Sequence, residues 1–500
     1  MKVNRVVFFV SAGLVVVFVV IAAIFAKQTE LAFKAIQEFI VSWFGWLYTL
    51  SVIGFLVFVI GLLLSPFGSV RLGKDDEGPA YNRLTWFAML FSAGMGIGLL
   101  FFGVAEPMQH FATPPWGETF DATRQAMGVT FYHWGLHVWA IYIVVGLSMA
   151  YFAHRRNLPL TLRSSLHPII GDRIHGPIGD MVDIFAVFGT LFGVATSLGL
   201  GAQQINAGLK FLGVLDQSLT NQLILIGGIT LVATASVVSG LNVGVRRLSE
   251  LNLGLAVLLL AFVFFAGPTA HLVESLFHNL AFYPGAIIEM SMTGEAYTGG
   301  KWQKSWTLFY WGWWISWTPF VGMFIARISK GRTIREFILG ALLAPTALTF
   351  LWFTVFGNTA LQLELAGQGE IAKAASENAP TALFVMLKEL PWSTFSSAFA
   401  VVVIGTYFVT SSDSASLVID IITAGGDPDP PFAQRVFWAI TEGVVAAILL
   451  MTGGLVALQT AAITTALPIC VIMIAMCFGL WKSLREEARG PAQKEGVDQP

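Results

Sequence analysis

The sequence is poor in charge and in cysteine. Of its 500 residues only 12% are charged, the formal net charge is −2, and there are two cysteines. No run of Lys and Arg has the density of a nucleic-acid-binding surface, so we expect no nucleic-acid partner. Cys470 and Cys477 lie seven positions apart in the last apolar run. We interpret them as small buried residues without a disulfide or metal role.

The sequence also lacks the motifs of the common enzyme classes. It contains no nucleophile elbow, Walker loop, HExxH or CxxC pattern. Its polar stretches are too short for a soluble catalytic domain. The longest are 65–82, 106–124, 154–180, 361–391 and the tail from 482. We therefore expect a protein that is not an enzyme and whose chemistry lies among its apolar segments.

Apolar residues are abundant and make up 56% of the chain. Twelve apolar runs are long enough to cross the roughly 30 Å hydrocarbon core of a bilayer. They lie at about 6–26, 45–64, 83–104, 125–152, 181–206, 221–241, 250–268, 302–328, 336–357, 392–424, 433–451 and 455–481. The first run is longer than a signal-peptide core and is interpreted as a retained helix. Most Lys and Arg fall in segments on the side of the N-terminus, which predicts that both termini are cytoplasmic.

A weaker, amphipathic segment at 269–301 separates the seventh run from the eighth. It is interpreted as an interfacial helix, with an irregular loop as the alternative. Five runs on each side of it, after two extra runs, predict a 5+5 inverted repeat, since an odd number of helices reverses orientation. The expected fold is an all-α polytopic membrane protein of 12 transmembrane helices. Its units are 1–82 (two N-terminal helices), 83–268 (first repeat), 269–301 (interfacial segment), 302–482 (second repeat) and 483–500 (short cytoplasmic tail).

Three glycines at alternate positions interrupt the run 83–104 near its centre. Each weakens a helix by about 1 kcal/mol relative to alanine. If the helix unwinds here, backbone N–H groups around Gly94, Met95, Gly96 and Gly98 can bind an anionic group, and carbonyl groups can bind a cation. The alternative is close helix packing through small residues.

Two aromatic clusters lie inside apolar runs, although membrane tryptophans normally gather at the interfaces. At helical spacing each cluster forms one face, with an arc of roughly 100° in the run 302–328 and roughly 140° in the run 125–152. The members are Trp313, Trp314 and Trp317 in the first, and Trp134, Trp139 and Tyr142 in the second. A cage of ring faces suits a quaternary ammonium group, which has no N–H to donate. Ordinary aromatic packing is the alternative for either cluster alone.

Hydroxyl groups form a polar patch in the run 392–424. They either bond to carbonyls one turn earlier or bind a small cation. The candidate sodium ligands are the carbonyl oxygens of Ser92, Met95 and Tyr407 and the hydroxyls of Thr410 and Ser411. Asp413 is a functional candidate because it is an intramembrane carboxylate, although structural pairing is equally open. His133 and His137 have no evident third metal ligand and are interpreted as hydrogen-bonded core residues.

These residues resemble the betaine/carnitine/choline transporter family. The most specific stretch, Trp311 to Phe337, reads WGWWISWTPFVGMFIARISKGRTIREF. The sequences GMGIG, followed by Ala105-Glu106-Pro107, and TSSDS from Thr410 agree with it. The resemblance covers about residues 6–482. It implies a LeuT-like fold, a homotrimer in a bacterial inner membrane, and transport coupled to sodium or protons without a further cofactor.

The resemblance also implies roles for particular residues. The six aromatic residues match the family's ammonium box, and the five candidate oxygen ligands match its main sodium site. A second sodium site would use Thr190 and Phe320, but Val194 stands where a hydroxyl is expected, which disfavours that site. Gly98 stands where choline-specific members carry aspartate and so favours a zwitterion.

The expected function is therefore sodium-coupled uptake of glycine betaine or a similar compatible solute by alternating access. The resemblance also disfavours exchange, because the family's sodium-independent exchangers fill the main sodium site with an arginine on the fifth helix, whereas positions 184–209 here contain no Lys or Arg. The alternative is a choline, carnitine, ectoine or sulfonium transporter coupled to sodium or protons.

Overall fold

A computed structural model describes residues 3–94, 96–117, 121–239, 241–292, 301–367 and 369–489. Within these residues the backbone is helical or irregular, and the single β-type contact is an isolated bridge between Arg71 and Thr333. An all-helical chain satisfies its backbone hydrogen bonds within each segment, as a membrane interior requires.

Before residue 300 the described chain forms long helices joined by short connections. The α-helices are α1 (Arg5–Ile24), α2 (Ala26–Leu64), α3 (Arg83–Gly94), α4 (Ile97–Ala112), α5 (Ala122–Trp134), α6 (Leu136–Ala150), α7 (His167–Ile170), α8 (Pro177–Phe211), α9 (Leu219–Ser239), α10 (Leu241–Ala266) and α11 (Thr269–Met292). One π-helical turn, Tyr151–Arg155, extends α6.

The second half contains shorter connecting helices as well as long ones. They are α12 (Lys301–Ser305), α13 (Thr307–Ile328), α14 (Ile334–Phe353), α15 (Thr359–Leu365), α16 (Ile371–Glu377), α17 (Ala382–Lys388), α18 (Ser393–Thr423) and α19 (Phe432–Ala488). A capping box between Thr333 and Glu336 begins α14, since each side chain accepts the other's backbone N–H. A π-helical turn, Thr354–Asn358, joins α14 to α15.

The helices are long and apolar enough for a multi-pass membrane protein. In the part of the chain that the structure describes, eight helical segments could cross a bilayer, or nine if the bent pair of α10 and α11 is one span. This agrees with the predicted class. The exact number of twelve spans and the inverted repeat stay predictions.

The last two predicted runs illustrate why the count is open. They form one 57-residue helix, α19, in which the backbone leaves helical geometry at Gly453 and Gly454. Gly454 has φ 55°, a left-handed conformation that favours glycine. The two runs therefore form one long helix with a kink between them.

The segment predicted to be interfacial is helical as far as Met292. Helix α11 meets α10 at an angle of 110°, so the chain turns sharply between the two halves of the sequence. Residues 293–300 of the predicted unit lie outside the described residues. The position of α11 relative to a membrane surface stays a prediction.

Helix α13 lies at the centre of the fold and packs against α6, α8 and α19. Nearly all of its side chains are buried, including Trp311, Trp313 and Trp314. The tryptophan-rich run of the sequence is thus an internal helix surrounded by other helices.

Polar connections meet at one end of the molecule. The segment after α2 pairs with the turn before α14 through Leu72 N–H to the Arg332 carbonyl at 2.8 Å and Ile334 N–H to the Val70 carbonyl at 2.9 Å. Nearby, Arg155 contacts Asp75 at 2.8 Å and Lys330 contacts Glu77 at 2.7 Å. Basic residues that the charge pattern places on the side of the N-terminus therefore form ion pairs here.

Candidate functional site

A cavity lies beside the break between α3 and α4. The space between its atoms is about 380 Å³, open space at its mouth included. Its wall consists of Gly96, Gly98 and Leu99, Trp134, Val138, Trp139 and Tyr142, Trp314 and Trp317, and Thr349. None of these described residues is charged, and half of them are aromatic.

The helix break contributes backbone to this wall. Helix α3 ends at Gly94 and α4 begins at Ile97, while Gly96 is extended with φ −149° and ψ −176°. Two helix ends meeting at one point leave N–H and C=O groups without partners inside either helix. Met95 lies outside the described residues, as does the side chain of Ser92.

Gly98 allows two tryptophan rings to approach the backbone. A Cβ atom at this position would lie 2.8 Å from the Trp313 ring and 2.9 Å from the Trp134 ring. Any larger residue must displace these rings in the present arrangement. Close packing through small residues, the alternative to unwinding at this glycine series, therefore applies at Gly98.

A second helix break lies between Trp134 and Leu136, which the sequence analysis treated as one continuous helix. Gly135 separates α5 from α6 with φ −95° and ψ −136°, and the Leu136 N–H donates to the Tyr283 hydroxyl at 3.0 Å. The arc calculated for a continuous helix was therefore wrong. The break nevertheless leaves Trp134, Trp139 and Tyr142 all in the cavity wall.

The aromatic rings form walls of different orientation. Trp313 and Trp314 stack at 4.6 Å and 15°, whereas Trp134 meets Trp314 edge-on at 4.8 Å and 71°. Tyr142 also meets Trp314 nearly at a right angle, at 6.4 Å. Trp313 itself does not line the cavity: it lies behind Trp314 and donates its Nε1–H to the Gly193 carbonyl at 3.3 Å. Five of the six predicted aromatic residues thus share one cavity.

Three hydrogen-bond donors of the wall have no partner among the described residues. They are Nε1 of Trp139, the hydroxyl of Tyr142 and Nε1 of Trp317, all buried. Burying a donor without a partner costs free energy, so such groups commonly serve a ligand. The wall therefore offers electron-rich ring faces for a cation, and its residues include three N–H or O–H donors without a partner among the described residues.

Glu106 lies behind the wall at the centre of a buried network. Trp134 Nε1 donates to its Oε2 at 2.6 Å and the Tyr310 hydroxyl donates to the same atom at 2.5 Å. His133 Nδ1 is 2.7 Å and His110 Nε2 is 3.3 Å from its Oε1. Glu106 was noted in the sequence only as part of the family motif. His110 lies one turn after Glu106 on α4, but the other three partners could not be read from the sequence because His133 and Trp134 come from α5 and Tyr310 comes from α13.

The two histidines examined as a metal pair have separate partners. His133 bonds to Glu106 and, at 3.0 Å, to the Thr307 hydroxyl, while His137 lies 3.2 Å from the Ser291 hydroxyl. Ligand atoms of Glu106, His110 and His133 lie within 4.8 Å of one another. The 2.7 Å contact of Glu106 with His133 is a hydrogen-bond distance, and it fits the core role predicted for that histidine.

The candidate sodium ligands are only partly described. The Thr410 hydroxyl lies 3.1 Å from the carbonyl oxygens of Thr406 and Tyr407 and accepts a hydrogen bond from Asn252 at 2.7 Å. Ser411 follows it and is partly buried. Because Met95 is outside the described residues, the whole predicted set cannot be placed together. Asn252, on α10, is a neighbour that sequence reasoning missed.

The remaining predicted positions are buried in the helical core. Thr190 and Val194 are both buried on α8, and Phe320 stacks on Trp317 at 5.7 Å and 21°. Asp413 is fully buried and accepts a hydrogen bond from the Ser236 hydroxyl at 2.6 Å. Cys470 and Cys477 are free.

Comparison with known proteins places this chain in a family. A model of the betaine/carnitine/choline family transporter matches residues 6–489. The chain is 46% identical over 487 residues to a glycine betaine transporter of Acinetobacter baylyi, covering 97% of this chain and 74% of that one. It is 45% identical over 472 residues to the glycine betaine transporter OpuD of Bacillus subtilis, covering 93% and 92%.

A third relative carries a different name. The chain is 41% identical over 507 residues to the high-affinity choline transport protein of Escherichia coli, covering 100% of this chain and 75% of that one. These matches confirm the resemblance read from the sequence and the expectation that the protein is not an enzyme. The chain belongs to the betaine/carnitine/choline family of membrane transporters.

Proposed function

We propose that the protein takes up glycine betaine, or a similar quaternary-ammonium zwitterion, by sodium-coupled symport with alternating access. The observation that carries this proposal is the composition of the cavity wall. Five aromatic residues supply ring faces, and no charged side chain is among the described residues that line it. Such a wall suits a methylated ammonium that has no N–H to donate.

The unpartnered donors favour a zwitterion over a simple cation. Trp139, Tyr142 and Trp317 each bring a buried N–H or O–H without a partner among the described residues. A carboxylate accepts up to four such hydrogen bonds, whereas choline offers one hydroxyl. Two relatives that carry the name glycine betaine transporter agree with this preference.

Choline is the second candidate substrate. It shares the trimethylammonium group, and a relative 41% identical is named a choline transport protein. Position 98 holds glycine here and not the aspartate that the resemblance associates with choline-specific members. The space is also too small for an acidic side chain, because a Cβ at position 98 would lie within 3 Å of two tryptophan rings. Carnitine, ectoine and sulfonium analogues remain alternatives, and protons remain an alternative coupling ion.

The proposal is tested by uptake into proteoliposomes. Radiolabelled glycine betaine and choline are each supplied with an inward sodium gradient and with potassium substituted. We expect betaine to accumulate above its outside concentration only with sodium. Accumulation of choline alone would contradict the zwitterion preference, and uptake unaffected by potassium substitution would contradict sodium coupling.

A matched pair of variants tests the ammonium box. Trp314 and Trp311 lie on one helix and are both buried, but only Trp314 lines the cavity. Trp311 instead packs against Tyr132 at 5.3 Å and His137 at 5.6 Å. Trp314→Leu should abolish betaine uptake, while Trp311→Leu should lower stability to a similar degree and leave the KM of the remaining protein near that of the wild type.

A second matched pair tests the sodium site. Thr410→Ala removes a hydroxyl that is predicted to bind sodium, whereas Thr406→Ala removes a hydroxyl that donates to the Val403 carbonyl at 2.9 Å. Both sites lie on α18, one turn apart. We expect Thr410→Ala to raise the sodium concentration needed for half-maximal uptake by tenfold or more, on the order of 1.4 kcal/mol per tenfold, and Thr406→Ala to leave it unchanged.

The architecture proposed with this function has twelve spans in a 5+5 inverted repeat after two extra helices. It also includes both termini in the cytoplasm, an inner-membrane location and a homotrimer contacted through α11. The break at Gly96 and the sharp turn between α10 and α11 support the repeat, because interrupted helices near the substrate are typical of inverted-repeat transporters. Accessibility of single cysteines placed in the loops would test the topology, and crosslinking in membranes would test the trimer.

A further inference from the structure

We propose that Glu106 determines the affinity of the cavity for cations: its ionised carboxylate lies one hydrogen bond behind the aromatic wall and supplies the negative potential that attracts a quaternary ammonium. Glu106 does not line the cavity, so its charge acts on a ligand from behind Trp134, the wall residue that donates to it. This inference rests on the proposed function, since it concerns the same site.

The hydrogen-bond pattern favours the ionised form of Glu106. Oε2 accepts from Trp134 at 2.6 Å and from Tyr310 at 2.5 Å, and Oε1 faces His133 and His110. A carboxylate that accepts several hydrogen bonds is stabilised as the anion. None of the partners described for it is Lys or Arg, so no permanent cation neutralises its charge.

The histidine tautomers are consistent with this charge. His110 Nδ1 has no partner among the described residues, while its Nε2 lies 3.3 Å from Glu106. A proton on Nε2 makes that contact a hydrogen bond, whereas a bare Nε2 would face the oxygen lone pairs. In the tautomer that carries its proton on Nδ1, His133 donates to Glu106 at 2.7 Å and its Nε2 accepts from the Thr307 hydroxyl at 3.0 Å.

Two walls of the cavity are attached to this carboxylate. Trp134 belongs to the wall directly, and its indole N–H is the group that bonds to Glu106. The Tyr310 ring stacks on Trp314 at 5.6 Å and 24°, so the second wall is held from behind by the other donor. An indole N–H that donates to an anion carries more electron density on its ring face, and the face attracts a cation more strongly.

The charge is effective because the surroundings are apolar. Glu106, His133 and Tyr310 are all fully buried, and the described lining residues carry no charge that competes with Glu106. In such a medium a unit charge acts over a longer distance than in water. The cavity therefore has a negative electrostatic bias although every residue that touches its space is neutral.

Glu106→Gln tests this charge with little change of shape. The amide oxygen of the glutamine can still accept from Trp134 and Tyr310. The amide NH₂ group then faces His133, which in its other tautomer accepts at Nδ1 and donates from Nε2 to Thr307. The variant thus keeps the positions of both rings and removes one negative charge. Tyr310→Phe is the matched control, because it removes one donor and keeps the charge.

The experiment measures the KM of uptake and the binding of unlabelled betaine and choline by tryptophan fluorescence, with purified wild type and both variants in the same lipid. We expect Glu106→Gln to weaken both ligands by roughly tenfold, the order of effect of one unit charge at moderate distance in a protein interior, with maximal uptake rate and thermal stability near wild type. Tyr310→Phe should change affinity by less than threefold.

The outcomes separate the two claims. If the wild type accumulates betaine and Glu106→Gln binds it as tightly, the inference about Glu106 is wrong and the proposed function stands. Equal loss of affinity in both variants would mean that Glu106 acts by position alone and would also overturn the role of its charge. If the wild type binds no quaternary ammonium, the proposed function fails and this inference fails with it.

Discussion

Two buried acidic regions of this protein differ sharply in their hydrogen bonds. The Glu106 cluster consists of Glu106 and the four donors around it. The acidic group of α18 and α19 consists of Asp413, Asp420 and Glu442, all 1% exposed or less. In that group Ser236 donates to Asp413 at 2.6 Å and Ser412 to Glu442 at 3.1 Å. Four other carboxyl oxygens of the group make no hydrogen bond of good geometry within the described residues, although Ser416 lies beside Glu442 and Gln434 beside Asp420.

The comparison shows that burial alone does not decide whether a carboxyl group carries charge. An ion taken out of water without compensation costs several kcal/mol, and hydrogen-bond donors reduce this cost. The Glu106 cluster has two donors for each oxygen and can hold an anion. Glu442 has fewer and longer contacts, with Ser412 donating to Oε2 at 3.1 Å and Ser416 as a further hydroxyl neighbour, so we expect the neutral acid there. One region is built to hold a charge, and the other is built to avoid one.

Replacing each glutamate by leucine should give the largest contrast. Glu106→Leu leaves four buried donors unpaired, including Trp134 and Tyr310, and should lower the free energy of unfolding by about 3–5 kcal/mol. Glu442→Leu removes the hydrogen bond from Ser412 and one of three neighbouring acids, so its cost should be about 1 kcal/mol or less. Thermal unfolding of the purified variants in one detergent measures both.

The matched amide variants sharpen this result. Glu442→Gln should leave stability and uptake close to wild type, because a neutral acid and an amide have similar size and polarity. Glu106→Gln should reduce affinity as argued above. If Glu442→Gln instead changed the pH dependence of uptake, Glu442 would carry a charge during transport, and the contrast between the two regions would not hold.

Removing a single hydrogen-bond donor from each region should give a smaller difference in the free energy of unfolding, with the larger cost again at Glu106. Tyr310→Phe removes the hydroxyl that bonds to Glu106 and should cost about 1.5–3 kcal/mol, the usual range for a hydrogen bond to a charged group. Ser412→Ala removes the hydroxyl that bonds to Glu442 and should cost about 0.5–1.5 kcal/mol. Unfolding in the same detergent compares them. Equal costs would indicate that both carboxyl groups have the same charge state.

The sequence was sufficient for the class and for most of the cavity. Apolar run length is read directly from the order of residues in the sequence, so the helical membrane class was predictable. Tryptophans at helical spacing must share a face wherever the helix is intact, which placed Trp314 and Trp317 together correctly. Trp313 shares that orientation, but the stacking order of the rings puts it behind Trp314, and stacking order is not contained in spacing.

Contacts between distant segments were not predictable. Glu106 meets Tyr310 across 204 positions, and Asn252 meets Thr410 across 158. No local pattern marks such a pair, although an acid within an apolar run is a signal by itself. The break at Gly135 was also missed, since a single glycine in a helical run is common. Here its cause is tertiary: the Leu136 N–H bonds to Tyr283 of α11.

An exposed acid provides the baseline for both buried regions and should show the smallest effect. Asp75 lies outside the membrane helices, its side chain is 84% exposed, and Arg155 contacts it at 2.8 Å. The hydrogen bond and the charge of Arg155 hold the pKa of Asp75 below its ordinary value of 3.8. A carboxyl group with a lowered pKa stabilises the fold at pH values above its ordinary pKa. This contribution is lost as the pH falls through the lowered pKa.

Asp75→Asn should therefore lower the midpoint of thermal unfolding slightly at pH 7, and the difference from wild type should shrink as the pH falls through the lowered pKa of Asp75. The shift at pH 7 should be smaller than that of Tyr310→Phe, because water and salt screen an exposed pair. The melting temperatures of wild type and variant at pH 7 and at lower pH values check this. A melting-temperature shift as large as that of Tyr310→Phe would mean that solvent screening does not weaken the exposed Asp75–Arg155 pair relative to the buried Glu106 cluster. The difference between the two buried regions would then have to be attributed to packing instead of charge.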